Sequence, residues 1–164
     1  MFCDLLLMER SLDIESFSQI LGFNKVYFKD EISKLGIKEA KDYSEARALV
    51  ENNRIKLLLN PHTFGKKDNY SYDRLGLDHI LCEVANKNGI FIGFSLDKIK
   101  TSTEMNWVIQ SIKLCRKYKV KLFFFSFATN KYEMVARIDF ISLLKVLGMK
   151  GKEAKTALSL CDFI

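Results

Sequence analysis

Residues 121–127 read Lys-Leu-Phe-Phe-Phe-Ser-Phe, and residues 90–96 read Ile-Phe-Ile-Gly-Phe-Ser-Leu. Both runs have the length of a β-strand, and neither alternates polar with apolar residues as a strand with one wet face does. Such runs are typical of strands that are covered on both faces, as in parallel sheets. Three shorter runs, at residues 2–7 (FCDLLL), 25–29 (KVYFK) and 55–60 (IKLLLN), complete a set of five predicted strands.

Helical patterns separate these strands. One stripe of apolar residues at helical spacing lies before Gly89, the residue at which a helix would end. A second stripe begins at Met105. Asp42 and Ser11 are predicted to cap two further helices. Residues 138–147 are apolar nearly all round and are predicted to form a buried helix. The two stripes consist of Leu77, Ile80, Leu81, Val84 and Ala85, and of Met105, Val108, Ile112, Cys115 and Tyr118.

The alternation of strand and helix predicts an α/β fold with a parallel sheet, which closes into a barrel or stays open as a doubly wound sheet. We expect one domain over residues 1–164, because 164 residues are few for two cores. A complete eightfold barrel needs at least about 200 residues, so only a shortened or incomplete barrel is possible. Missing units would fall in the charged, weakly patterned stretch 30–41.

The charge is distributed unevenly. The net charge is +6, but residues 1–80 contain 12 Lys and Arg against 13 Asp and Glu, whereas residues 81–164 contain 14 against 7. A surface that neutralises phosphates would produce such an excess. We expect a soluble, cytoplasmic protein without a membrane segment, since apolar runs are short and the four cysteines show no disulfide or zinc spacing.

Chemical motifs are sparse. Glycine-rich phosphate loops are absent, which excludes the common NTPase and dinucleotide-binding classes. The predicted strand ends read Asn60-Pro61-His62, Ser95-Leu96-Asp97 and 126–131 (SFATNK). They offer too few metal-binding side chains for a phosphoesterase that uses several metal ions. These residues suit hydrogen bonding to RNA or to a partner, or they only satisfy loop backbone. Asp78 is predicted to cap a helix, followed by a partly buried His79.

Several motifs in the second half resemble the ribonuclease P protein component 3 family. They are residues 76–81 (GLDHIL), 90–96 (IFIGFSL), 117–120 (KYKV) leading into FFFSFAT, 139–143 (DFISL) and Gly148-Met149. Asn60-Pro61 and the first strand with Asp4 are also similar. The motifs of the second half run from about Arg74 to Leu160, a stretch of more than half of the chain.

The resemblance implies a TIM-barrel-like fold, related to polymerase and histidinol phosphatase hydrolases, whose metal-binding residues have been lost. It implies a subunit of ribonuclease P, the endoribonuclease that removes the 5′ leader from precursor tRNA. The partners would be ribonuclease P RNA, precursor tRNA, protein component 2 and other protein subunits. This chain would have no catalytic residue, metal or other cofactor of its own, and the magnesium would sit on the RNA. The length between Lys29 and Tyr43 leaves no room for one or two βα units, which puts barrel closure in doubt.

Carried over by position, the RNA- or partner-binding residues would be Arg74, Asp78, His79, Lys121, Lys131, Arg137, Asp139 and Lys155. Two alternatives remain open: a small metal-dependent phosphoesterase of the same fold superfamily, and a general RNA-binding module.

The segment from Thr129 to Asp139 is predicted to be a rigid platform at the carboxyl end of a strand. It would present Lys131, Tyr132 and Arg137 to RNA. Asp139 would hold the Arg137 guanidinium or cap the next helix.

Overall fold

The computed structural model describes residues 1–64, 66–67, 73–74 and 76–163, and leaves out the side chains of residues 66, 67, 73, 74 and 161. The strands are β1 (Cys3–Leu5), β2 (Lys25–Tyr27), β3 (Ile37–Glu39), β4 (Leu57–Leu59), β5 (Lys66–Lys67), β6 (Asp73–Arg74), β7 (Phe91–Ser95) and β8 (Leu122–Phe125). The helices are α1 (Leu12–Ile20), α2 (Lys29–Ile32), α3 (Tyr43–Glu51), α4 (His79–Asn88), α5 (Ser102–Lys117), α6 (Arg137–Val146) and α7 (Gly151–Thr156). Single-turn 3-10 helices lie at Ser33–Leu35, Pro61–Phe64, Leu96–Lys98, Lys131–Glu133 and Leu160–Asp162.

Each of the five predicted strands contains an observed strand. The prediction missed three strands: the two-residue strands β5 and β6, and β3, which lies in the charged stretch 30–41 after α2 and a 3-10 turn. Only Ile37 of β3 is buried, while Lys38 and Glu39 are exposed. With a single apolar position, β3 shows no recognisable strand pattern in the sequence.

The strands form two parallel sheets. One has the order β3-β4-β7-β8 and the other pairs β1 with β2, while β5 and β6 form a separate antiparallel pair. The two parallel sheets meet at β1 and β8, where Leu7 N donates to Ala128 O at 2.9 Å and Phe127 N donates to Leu5 O at 3.0 Å. The fold is therefore mixed α/β with parallel sheets, as predicted.

Apolar side chains cover both faces of these sheets. Phe123, Phe125 and Leu57 belong to one buried hydrophobic cluster, which we call the inner cluster. Phe124 and Leu58 belong to the larger cluster that packs against the helices. Successive residues of a strand point to opposite faces, so an uninterrupted apolar run is what two buried faces require. This confirms the prediction made from residues 121–127.

The boundary between β2 and β3 is open. Nine residues, 28–36, connect the two strands, whereas a parallel crossover needs about a dozen or more. Among the described strands, β2 and β3 are accordingly sheet edges with no pairing between them. Ile32 of α2 and Leu35 of the following turn belong to this connection, and both pack into the inner cluster.

The helix ends follow the predicted signals in most cases. The Asp42 carboxylate accepts from Glu45 N at 2.9 Å, and Gly89 ends α4 in a left-handed conformation with φ 67°. The prediction that residues 138–147 form a buried helix is wrong, because Ile138 is 71% exposed and Val146 is 80% exposed. In the described part of the chain, no helix combines the length and apolar composition needed to cross a membrane.

Gly93 in β7 should be intolerant of a side chain. An added Cβ would lie 2.6 Å from Leu57 Cδ2 and 3.2 Å from Phe125 Cε2 in the inner cluster. We expect Gly93→Ala to lower the free energy of unfolding by about 1–3 kcal/mol, as overpacking of a core does. Denaturant titration followed by circular dichroism measures this change.

Gly151→Ala is the matched control, since its Cβ would lie 3.7 Å from Lys145 Cε at an exposed helical position. It should be neutral or stabilising by up to about 1 kcal/mol. A Gly93→Ala protein as stable as the parent would contradict the close packing described for the inner cluster.

Candidate nucleic-acid interface

The polar residues at the carboxyl ends of β4 and β7 bond to each other. Asn60 Nδ2 donates to Ser95 Oγ at 2.8 Å and to Glu39 Oε1 at 3.4 Å, and Ser95 N donates to Asn60 Oδ1 at 2.9 Å. Both Asn60 and Ser95 are buried. Of the two interpretations of these strand ends, the geometry favours the one in which they satisfy local structure rather than a ligand.

A second buried pair joins β1 to the end of β8. Asp4 Oδ1 accepts from Ser126 N at 2.7 Å and from Leu5 N at 2.9 Å, and Asp4 Oδ2 accepts from Ser126 Oγ at 2.6 Å. Burial raises the pKa of Asp4 from its ordinary value of 3.8 to about 6, although the three hydrogen bonds oppose this rise. Asp4 therefore links the two parallel sheets and is fully engaged in doing so.

His62 is fully buried after β4, with its Nε2 3.0 Å from Lys98 O. Burial lowers its pKa, which leaves the imidazole neutral near pH 7. Within the described residues, no group of three or more His, Cys, Asp or Glu side chains is placed to hold a metal ion. Among the described buried polar atoms at this end, His62 Nδ1 and Asp97 Oδ1 have no hydrogen-bond partner.

Of the predicted site residues near α4, one lies as expected and another does not. Asp78 caps α4 by accepting from Leu81 N at 2.8 Å, as predicted, and also accepts from Tyr43 Oη at 2.7 Å. His79 is exposed rather than partly buried. The side chain of Arg74 lies outside the described residues.

The structure separates Lys131 from Arg137. Lys131 Nζ lies 3.0 Å from Asp13 Oδ2 at the start of α1, whereas Arg137 N donates to Leu21 O at the end of α1. The two contact points, Asp13 and Leu21, are eight residues apart, about 12 Å along the helix axis. The segment from Thr129 to Asp139 is not one platform at the carboxyl ends, because it runs beside α1 towards the amino ends.

Arg137 lies at a helix N-terminus, as predicted, with its guanidinium carbon 4.6 Å from the centre of the Phe2 ring. The N-cap of α6 is Ala136, so the expectation that Asp139 caps this helix is wrong. No ion pair joins Asp139 to Arg137 within the described part of the chain. Tyr132, in contrast, is 96% exposed.

Lys121 and Lys155 lie towards the amino ends of the strands, the end opposite to Lys131. Lys121 precedes β8, and its Nζ sits 4.0 Å from the centre of the Phe163 ring. Lys155 is exposed on α7. Around them lie further exposed lysines that the sequence analysis did not single out as site residues. Together they form the surface that we call the basic edge: Lys117, Lys119, Lys121, Lys150, Lys152 and Lys155.

The charge separates between the two ends of the parallel strands. The segments leading into β2, β3, β4, β7 and β8 (residues 21–25, 33–36, 52–56, 87–90 and 116–121) contain Lys or Arg and no Asp or Glu. The segments leaving β1, β2, β3, β7 and β8 (residues 6–11, 28–31, 40–42, 96–101 and 126–133) contain six acids and six Lys or Arg, and residues 60–64 after β4 contain neither. The amino ends therefore carry the positive field, and the basic edge is its densest part.

Asp4 should make folding stability depend on pH. Its pKa in the folded state lies above the value of an exposed carboxyl, so the folded protein holds the proton more tightly and stability falls as pH rises from about 4 to 6. We expect Asp4→Asn to abolish this fall and to add up to about 3 kcal/mol at pH 8. Urea titrations across this pH range provide the measurement.

Ser126→Ala serves as the companion variant, since it removes the hydroxyl donor but keeps the backbone donor. It should destabilise the protein at high pH more than at pH 4. An Asp4→Asn protein with the parent's pH profile would show that another group causes the dependence.

Comparison with known proteins gives a consistent picture. No family model matches the chain. It is 30% identical over 112 residues to ribonuclease P protein component 3 of Thermococcus gammatolerans, covering 65% of this chain and 49% of that protein. The match to the protein of the same name from Methanococcoides burtonii is 30% over 119 residues, covering 69% and 46%. The chain spans about half the length of the curated relatives it matches.

Among solved structures, a chain in the cryo-EM structure of archaeal ribonuclease P with mature tRNA superposes with a TM-score of 0.69 at 19% identity. The superposition covers 99% of this chain and 82% of the other. At this identity the likeness shows a shared fold. The resemblance predicted from the motifs is confirmed: the chain is similar in sequence to ribonuclease P protein component 3 over about two thirds of its length.

Proposed function

We propose that this chain is a protein subunit of ribonuclease P, which supports the catalytic RNA in removing the 5′ leader from precursor tRNA. The observation that carries the proposal is the 30% identity to several proteins named ribonuclease P protein component 3. The fold shared with a chain of an archaeal ribonuclease P supports it. The partners would be ribonuclease P RNA, precursor tRNA, protein component 2 and other subunits, in the cytoplasm.

The proposed architecture is one barrel-like domain over residues 1–164, of the TIM-barrel-like type related to polymerase and histidinol phosphatase hydrolases. Two features support it: the inner cluster that the parallel strands enclose, and the backbone hydrogen bonds between the ends of β1 and β8. The open boundary between β2 and β3 makes the proposed barrel incomplete.

In this proposal the chain takes no part in the chemistry and holds no cofactor, and magnesium sits on the RNA. Asp4, Asn60 and Ser95 are hydrogen-bonded to neighbouring protein groups, which supports a non-catalytic role for these residues. A reacting side chain needs a free lone pair or proton at the substrate.

RNA would bind at the basic edge, because its lysines are exposed and the segments entering the strands carry no acids. Lys121 and Lys155 belong to this surface. The other positions carried over from the family, Arg74, Asp78, His79, Lys131, Arg137 and Asp139, lie elsewhere or outside the described side chains. We propose that they contact partners or hold local structure.

We expect that the purified chain alone does not cleave precursor tRNA, and that it raises the cleavage rate when added to ribonuclease P RNA with the other protein subunits. Product formation on a gel measures both. Cleavage by the RNA-free protein that is lost in His62→Ala or His79→Ala would favour the phosphoesterase alternative instead. Equal affinity for ribonuclease P RNA and unrelated RNA would favour a general RNA-binding module.

The location of the RNA surface is tested by charge reversal. The double change Lys150→Glu with Lys152→Glu should weaken RNA binding at least tenfold at low salt. It should also reduce the slope of log K against log salt by about 0.7–0.9 for each lost phosphate contact. Fluorescence anisotropy over a salt series measures both quantities.

The matched control is Lys98→Glu with Lys100→Glu, which makes the same charge change at the carboxyl ends, beyond β7. It should have a smaller effect on affinity and on the salt slope. Equal losses from the two double variants would show that net charge, and not the basic edge, governs binding.

A further inference from the structure

A groove of about 470 Å³ opens within the basic edge, between the end of α5, the start of β8 and the loop into α7. Its floor is apolar and its rim is largely basic. The floor consists of Ile112, Cys115, Val120, Leu122 and Met149, and the rim of Arg116, Lys119, Lys121, Lys150, Lys152, Glu153 and Thr156.

One rim cation is already neutralised. Arg116 donates through Nε and Nη2 to the two carboxylate oxygens of Glu153, at 2.9 and 2.8 Å, and through Nη2 to Gly148 O at 2.8 Å. This pair clamps α5 to α7 and lowers the pKa of Glu153. The four rim lysines form no ion pair within the described residues, so the groove keeps their charge.

Lys119 is held in an unusual backbone conformation. The end of α5 has the Schellman pattern, in which Val120 N donates to Cys115 O at 2.9 Å and Lys119 N to Arg116 O at 3.4 Å. The pattern places Lys119 in the left-handed region with φ 59°, where α4 and α6 have Gly89 and Gly148. A non-glycine residue is strained there, because its Cβ comes too close to the following carbonyl oxygen. The fold tolerates this strain at a position where the side chain lies on the groove rim.

We propose that this groove binds the backbone of an unpaired RNA segment, with its phosphates at Lys119, Lys121, Lys150 and Lys152 and a ribose or base against the apolar floor. The inference rests on the proposed function. It adds where the RNA binds, that the bound segment is unpaired, and that Lys119 contributes to its binding.

The groove's chemistry favours RNA over a protein segment. Lysine is depleted at the centres of protein interfaces, whereas Lys at phosphates is the ordinary source of affinity for nucleic acid. The groove is also continuous with the basic edge. Base-paired RNA buries its base faces within the helix, so the apolar floor favours an unpaired strand, which can offer a base face.

Lys119→Gly tests the inference because it should separate stability from binding. Relief of the left-handed strain should raise the melting temperature by about 2–4 °C. Loss of one phosphate contact should weaken binding of an oligouridylate about fivefold at 0.1 M salt and reduce the salt slope by about 0.7. Lys119→Asn, which removes the charge and still tolerates the left-handed region, should show the same loss of binding. Lys100→Gln is the control for net charge at the opposite end of the strands.

The experiment uses the full chain with three probes: an oligouridylate, an RNA duplex of the same length and an acidic peptide. The inference stands if Lys119→Gly weakens oligouridylate binding, Lys100→Gln does not, and the duplex binds less tightly to the parent. It fails if Lys119→Gly binds like the parent, if the duplex binds as well as the single strand, or if only the peptide competes for the groove. A parent chain that binds neither these RNAs nor ribonuclease P RNA would instead reject the proposed RNA role itself.

Discussion

The contact between Asp4 and Ser126 is the constraint on which the arrangement of the two parallel sheets depends. It joins the first strand to the last through both carboxylate oxygens, 122 residues apart in sequence. A buried carboxylate is unfavourable unless its oxygens are hydrogen-bonded, so this contact specifies one register between β1 and β8. Backbone bonds beyond the strand ends continue the junction, and Ala157 and Leu158 accept bonds from β8 and β1 at its other end. Cys3 and Leu5 of β1 and Phe123 and Phe125 of β8 meet in the inner cluster beside this junction.

The same geometry explains the one-sided charge. In a parallel α/β fold the helices run back antiparallel to the strands, so their C-termini gather at the amino ends of the strands. Lysine and arginine are favourable near helix C-termini because of the helix dipole. Local preferences at several helix ends therefore add up to a single basic surface, as residues 116–121 illustrate at the end of α5.

The sequence was most informative where one physical effect dominates. Continuous burial made β4, β7 and β8 recognisable, and the caps at Asp42, Asp78 and Gly89 follow from local hydrogen bonding and glycine conformation. It failed where tertiary context decides. β3 has a single buried position, and the course of residues 131–137 beside α1 depends on contacts with Asp13 and Leu21 that are distant in sequence. The groove was missed because the α5 and α7 lysines form one surface only after folding.

The open boundary between β2 and β3 has a consequence for how the protein behaves in solution. A closed barrel has no free edge, whereas β2 and β3 are sheet edges among the described strands, and another chain could extend such an edge. Both edges are only three residues long, with exposed Lys25 on one and exposed Lys38 and Glu39 on the other. Short, charged edges discourage strand addition, so resistance to aggregation at this boundary depends on a few surface charges rather than on the core.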